Sequence, residues 1–248
     1  MYTAYMIKKL TLALLCTLPS LSFAVDLDGY YITAKGGASK TSNTGIVSQT
    51  DDRGDSGNYE NEDLGTGTAF GFSVGKYLTD SFRLELEATK RTGYEFDARD
   101  TSVVLPGGAI HSEKAKIQTE AVFINGFYDF QPFTMSNTAI TPYLGGGVGI
   151  SRNKMRTIVQ YLPAPIANGV SSNGDTINQF AYKLSAGTLV SITEQLSLDV
   201  NYQYVNLGAF KGGTVRINDD GTIVRYQRGL NGGEIKTQEL MVGLQYKF

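Results

Sequence analysis

The 248-residue chain contains no tryptophan, one histidine and one cysteine. The cysteine, Cys16, sits in an apolar run over 10–18 that follows Lys8 and Lys9 and precedes Pro19 and Ser22-Phe23-Ala24. Charge, a short apolar stretch and a small-residue ending, in that order, predict a secretory leader over 1–24 that is cleaved after Ala24 and is too short to span a bilayer. Ala13-Leu14-Leu15 ahead of Cys16 is a poor lipoprotein signal, so no lipid anchor is expected. Residues 25–248 then hold no cysteine, and an exported domain of this kind must be stabilised without disulfides. Excess charge is also lacking. Lys and Arg number 22 against 24 Asp and Glu, a net charge of −2, which gives no electrostatic case for nucleic acid. No stretch after residue 24 approaches the ~20 apolar residues of a spanning helix. If the chain resides in a membrane, it does so as a closed barrel, because an open sheet edge cannot face lipid.

What the sequence has instead is alternation. In the final stretch, 240–248 (LMVGLQYKF), Leu240, Val242, Leu244, Tyr246 and Phe248 fall on one face and Met241, Gly243, Gln245 and Lys247 on the other. The same period of two recurs over 29–39, 67–78, 82–89, 116–130, 140–151, 178–192 and 196–205. The third of these segments is the clearest, setting Phe82, Leu84, Leu86 and Ala88 against Arg83, Glu85, Glu87 and Thr89. Thr79-Asp80-Ser81 and Thr193-Glu194-Gln195 read as tight turns, and 131–139 as a longer one. Long polar loops are expected at about 40–65, 92–115, 152–177 and 207–234. Long and short connections therefore alternate around eight strands. This predicts an all-β fold of one domain over 25–248, an eight-stranded antiparallel transmembrane up-and-down β-barrel with four long extracellular loops. Tyr30, Phe82, Phe130, Tyr246 and Phe248 are expected at the periplasmic rim, and Tyr202 and Tyr204 towards the outer one.

The segments FYDF (127–130), ITPYLGGGVG (140–149), DVNYQYVNLG (199–208), RLELE (83–87) and LMVGLQYKF (240–248) resemble the opacity-type, eight-stranded outer-membrane β-barrel family. That family includes adhesins and surface antigens, and its members share a barrel and differ in their loops. The resemblance implies location in the outer membrane of a Gram-negative bacterium. Tyr246 and Phe248 match the C-terminal signal read by the barrel insertion machinery. The partners it implies are outer-membrane lipid and a host-cell receptor or matrix protein, with the chain a monomer.

Inward charges are expected at Lys35, Arg83, Glu85, Glu87, Asp129, Lys183, Asp199, Glu239 and Lys247, of both signs. An eight-stranded barrel has an interior just wide enough for side chains to fill. Lys35, Arg83, Glu85, Glu87, Lys183 and Asp199 therefore read as a packed charge network, because an isolated buried charge costs several kcal/mol. The glycine-lined faces of the second and fifth strands leave room for an alternative, a narrow porin-like pore for ions or small solutes. In the first loop, Arg53-Gly54-Asp55 is the tripeptide that integrins recognise on exposed turns, and it is a candidate ligand for a host cell. An enzyme is the weakest reading. The sole histidine, His111, lies beside Ser112 and Glu113 in the second loop, where adjacent residues offer no fixed catalytic geometry. The acidic run in the first loop lacks calcium-loop spacing. Gly145, Gly146 and Gly147 are followed by no phosphate-loop lysine. No cofactor is expected.

Overall fold

The computed structural model describes residues 27–42, 47–50, 56–60, 63–100, 112–161, 170–217, 221–225 and 228–248. The expected leader, the Arg53-Gly54-Asp55 tripeptide and His111 lie outside these residues. Eight long strands form the wall: β1 (Tyr30–Thr41), β2 (Thr66–Tyr77), β3 (Phe82–Asp100), β4 (Ser112–Asp129), β5 (Thr138–Met155), β6 (Thr176–Ser191), β7 (Leu196–Ile217) and β8 (Arg228–Lys247). Each pairs antiparallel with its sequence neighbour. The ring closes when β8 returns to β1, with Tyr31 opposite Lys247 and Thr41 opposite Thr237. Closure removes both sheet edges, which satisfies the backbone polar groups without water.

Polarity is inverted relative to a soluble barrel. Ile124 is 63% exposed and Phe180 66% exposed on the outer wall, whereas Glu87, Arg91 and Glu239 are fully buried in the lumen. Phe70, Phe72, Val74, Leu84, Leu86, Leu144, Val148, Leu240, Val242 and Leu244 continue the outer apolar band. At the short-turn end, Tyr128 stacks edge-on with Phe130, and Tyr246 does the same with Phe248. Tyr182 and Tyr204 lie together higher on the wall. Aromatic residues at both borders of an apolar band are the arrangement that lipid interfaces favour.

Two of the short turns share one chemistry. The Thr79 hydroxyl accepts from the amides of Ser81 and Phe82 (3.3 and 3.0 Å), and the Thr193 hydroxyl accepts from those of Gln195 and Leu196 (3.3 and 2.9 Å). The third, expected as a longer turn over 131–139, holds a small hairpin. Phe133–Met135 pairs with the start of β5 through Ser136 and Asn137, both at positive φ.

At the opposite end the strands run further than their alternation suggests. β3 has 19 residues and β7 has 22, about twice the ~9–11 of a spanning strand. The segments read as loops therefore contain wall. β3 enters the second and β4 begins within it, so Ser112 and Glu113 are strand residues opposite Arg99 and Ala98. Val47–Thr50 and Ser56–Glu60 form a hairpin between β8 and β3. Ile158–Tyr161 and Val170–Gly174 bridge β4 to β7, and Ile223–Arg225 pairs with β7. The reason for the misreading is chemical. Beyond the apolar band the outer face turns polar (Lys90, Glu95, Asp97), while the inner face turns apolar (Tyr94, Phe96, Ala115, Ile117). A bulge at Gly93, which has φ 93°, keeps Arg91 and Tyr94 both facing inward despite the extra residue.

Ile124 lies midway along the outer apolar stretch of β4, between Tyr128 and Glu120. Replacing it with arginine is expected to destabilise the barrel in lipid vesicles by about 2–4 kcal/mol, measured by denaturant titration. An unchanged stability would mean that this face meets water.

Candidate functional site

Three layers of polar side chains fill the membrane part of the lumen. Nearest the short-turn end, Arg83 donates through Nε to both Asp129 carboxylate oxygens (3.0 and 3.1 Å) and through Nη1 to the Tyr31 hydroxyl (3.3 Å). Its guanidinium lies against the rings of Phe127 and Tyr143, 4.3 and 4.7 Å from their centroids. Tyr143 in turn donates to Asp199 at 2.6 Å. In the middle layer, Glu87 bonds to the ammonium of Lys35 at 2.8 Å and to that of Lys183. Asn125 donates to both Glu85 and Glu87. In the third layer, Arg91 grips Glu239 in bidentate fashion (2.5 and 3.0 Å), and Ser39, Gln203 and Thr237 donate to the same carboxylate.

All six expected network residues are buried in the lumen and take part in these layers. Lys247 does not join them. It is exposed at the inner mouth, with its ammonium over the Tyr77 ring. Arg91 lies beyond Thr89, where the alternation of the third segment is expected to end, and so is not among the expected network residues. The clue was present: the inward series Arg83, Glu85, Glu87, Thr89 continues by twos to Arg91. Buried cations (Lys35, Arg83, Arg91, Lys183) and anions (Glu85, Glu87, Asp129, Asp199, Glu239) are nearly balanced, so the interior has no single-sign track for an ion.

The glycine-lined faces do not open a channel either. A β-carbon at Gly145 would run into the Phe127 ring, one at Gly147 into Asn125, and one at Gly75 into Tyr31. The space that glycine leaves is occupied by side chains of the neighbouring strand.

Above the polar layers sits an apolar cluster of Leu64, Tyr94, Phe96, Ile117, Phe123, Met155, Ile158, Val205, Leu207, Phe210 and Ile235. β7 bends inward to complete it. Its pairing with β8 slips between Asn206 and Ala209, where Gly208 has φ 69°. The freed carbonyls are taken up across the lumen: Ser151 donates to that of Leu207, and Asn153 to those of Leu207 and Ala209 (2.5, 2.8 and 2.8 Å). Among the described residues, no three His, Cys, Asp or Glu side chains form a metal-binding group.

An inside-out, edge-free barrel with a packed lumen defines an integral membrane β-barrel. The chain belongs to the outer membrane protein beta-barrel domain family, whose model matches residues 10–248. Among curated relatives it is similar to outer membrane protein PagN of Salmonella typhimurium, at 29% identity over 190 residues, 73% of this chain and 75% of that protein. It is also similar to a candidate adhesin of Rickettsia bellii, at 25% identity over 186 residues, 74% of this chain and 77% of that one. Among solved structures, the outer membrane protein OprG from Pseudomonas aeruginosa shares the fold with a TM-score of 0.50 and 16% identity, over 89% of this chain and 96% of that one. The protein is thus a β-barrel of the Gram-negative outer membrane.

Glu87 neutralises two buried lysines, so replacing it alone strands both. Glu87→Leu is expected to cost about 3–5 kcal/mol, whereas Glu87→Leu combined with Lys35→Met and Lys183→Met recovers most of that loss. Denaturant unfolding of wild type, the single variant and the triple variant in detergent checks both. Equal stability of the single variant and wild type would contradict the pairing.

Proposed function

We propose that this protein acts through its extracellular end, as a surface adhesin or displayed antigen that also contributes structurally to the outer membrane. The observation that carries this reading is the occupied lumen. Polar layers from Arg83 to Arg91, capped by the apolar cluster around Phe210, leave chemistry with outside partners to the protruding rim. That rim is a projecting wall bearing additional strands at Val47–Thr50, Ser56–Glu60 and Ile158–Tyr161, and surface-exposed connections on rigid scaffolds are where binding residues concentrate. The candidate adhesin among its relatives supports the same direction. The partner we assign is a host-cell receptor or matrix protein. Arg53-Gly54-Asp55 is the candidate contact, placed by the chain between two described strands of the outer rim. The chain works without catalysis or cofactor and as a monomer. Tyr246 and Phe248 serve the barrel insertion machinery before assembly.

The test is adhesion to cultured host cells by bacteria displaying the protein. Replacing 43–62 and 101–111 with short turns is expected to abolish attachment while heat-modifiable gel mobility still reports a folded barrel. Asp55→Lys is expected to lower attachment by itself. Attachment that survives the loop replacements sinks the adhesin reading, and attachment unaffected by Asp55→Lys removes the tripeptide from it.

A further inference from the structure

On the outer wall the apolar band ends in a row of charge. Lys90 on β3, Glu120 on β4 and Arg152 on β5 are register neighbours across three strands. Lys90 pairs with Glu120 at 3.2 Å. Arg152, and Lys154 one step further out, are exposed and have no ion-pair partner among the described residues. Lys116 is exposed on β4 and Arg156 just past the end of β5, and Arg156 reaches Gln118, the register partner of Lys154.

Directly below this row the wall carries a shallow, open hollow. A depression of about 750 Å³ is lined by Phe70, Phe72, Ala88, Val122 and Ile150, with Lys90, Glu120 and Arg152 at its margin. Its floor follows from one small side chain. Ala88 is the register partner of both Phe72 and Val122, so a methyl group lies between two larger neighbours. The hollow spans four strands, or about 14 Å at ~4.8 Å per strand spacing, which is wide enough for acyl chains side by side.

A trough that is apolar towards the bilayer centre and cationic at its outward end fits an amphiphile with acyl chains and an anionic head. A free anion would gain nothing from the apolar part. Arginine and lysine together suit phosphate, the first through its planar fork and the second as a mobile point charge. We propose that the β2–β5 wall carries a site for a phosphorylated, acylated glycolipid of the outer leaflet. Arg152 and Lys154 hold its phosphoryl group, and an acyl chain lies over Ala88. This site is separate from the extracellular loops and stands whether or not those loops bind a host ligand.

The test uses the full protein purified from outer membranes in detergent, stripped of lipid and titrated by native mass spectrometry. Three probes are compared: a bisphosphorylated acylated glucosamine disaccharide, its dephosphorylated form, and inorganic phosphate as competitor. The phosphorylated lipid is expected to be retained over the dephosphorylated one. In the Arg152→Ala/Lys154→Ala double variant its retention falls at least about tenfold, in keeping with the loss of two charge-assisted contacts. Ala88→Phe, which fills the trough and leaves the cations in place, is expected to weaken retention as well. Heat-modifiable mobility establishes that each variant is folded. Equal retention of the two lipids, or an unaffected double variant, overturns the site. Displacement of the lipid by inorganic phosphate at equal concentration would make it a free-anion site and overturns the lipid assignment.

Discussion

Hydrocarbon offers no hydrogen-bond partner to a peptide group, and the architecture depends on that deficit. Each wall strand must pair on both sides, so β8 has to find β1 at the far end of the chain. Once the ring is closed, the outer face solves one solvation problem and the inner face another. Outer side chains meet acyl chains and are apolar. Inner side chains lie in a space too narrow for bulk water, and their charges persist only where they are paired or hydrogen-bonded. The bidentate contact of Arg91 with Glu239 and the double clasp of Lys35 and Lys183 on Glu87 are consequences of this confinement.

The polarity of the two faces exchanges at the level of Lys90, Glu120 and Arg152. Below it the wall is an inside-out membrane protein, and above it the same strands form an ordinary small domain with an apolar centre and a charged surface. Exposed ion pairs such as Lys114 with Asp97 belong to the upper part. The inward step of β7 at Gly208 lets Leu207 and Phe210 fill that centre, with β5 supplying the hydrogen bonds that the slipped pairing gives up. The projecting end is therefore supported by a core and not only by backbone pairing, which gives the connections beyond it a firm base.

Much of this was legible in the sequence because lipid imposes a strict rule. Where the wall meets acyl chains, one face must be apolar, and Leu84, Leu86 and Ala88 against Arg83, Glu85 and Glu87 announce both strand and orientation. The inner ends of all eight strands follow within two residues, aided by the Thr79 and Thr193 turns. The outer ends of β1, β2 and β6 follow as closely, but those of β3, β4, β5, β7 and β8 do not, because above the band the rule reverses. Tyr94 and Phe96 alternate with Glu95 and Asp97 just as clearly, but with the opposite sense, and a reader seeking lipid-facing residues takes the change for a loop. Arg91 was lost at that seam. The β7 bend could not be seen either, since it rests on contacts between Asn153 and the backbone of Leu207 that are distant in the chain. The trough over Ala88 depends on the register of four strands, which no local pattern encodes.

The lumen is filled from the Arg83 layer to the Phe210 cluster, and conductance of the folded protein in a planar lipid bilayer tests this most directly. A filled lumen predicts electrical silence at moderate voltage from preparations whose gel mobility shows a folded barrel. Steady channels whose ion selectivity shifts when Glu87 or Lys183 is substituted would contradict it, and would place the function of this protein in its interior.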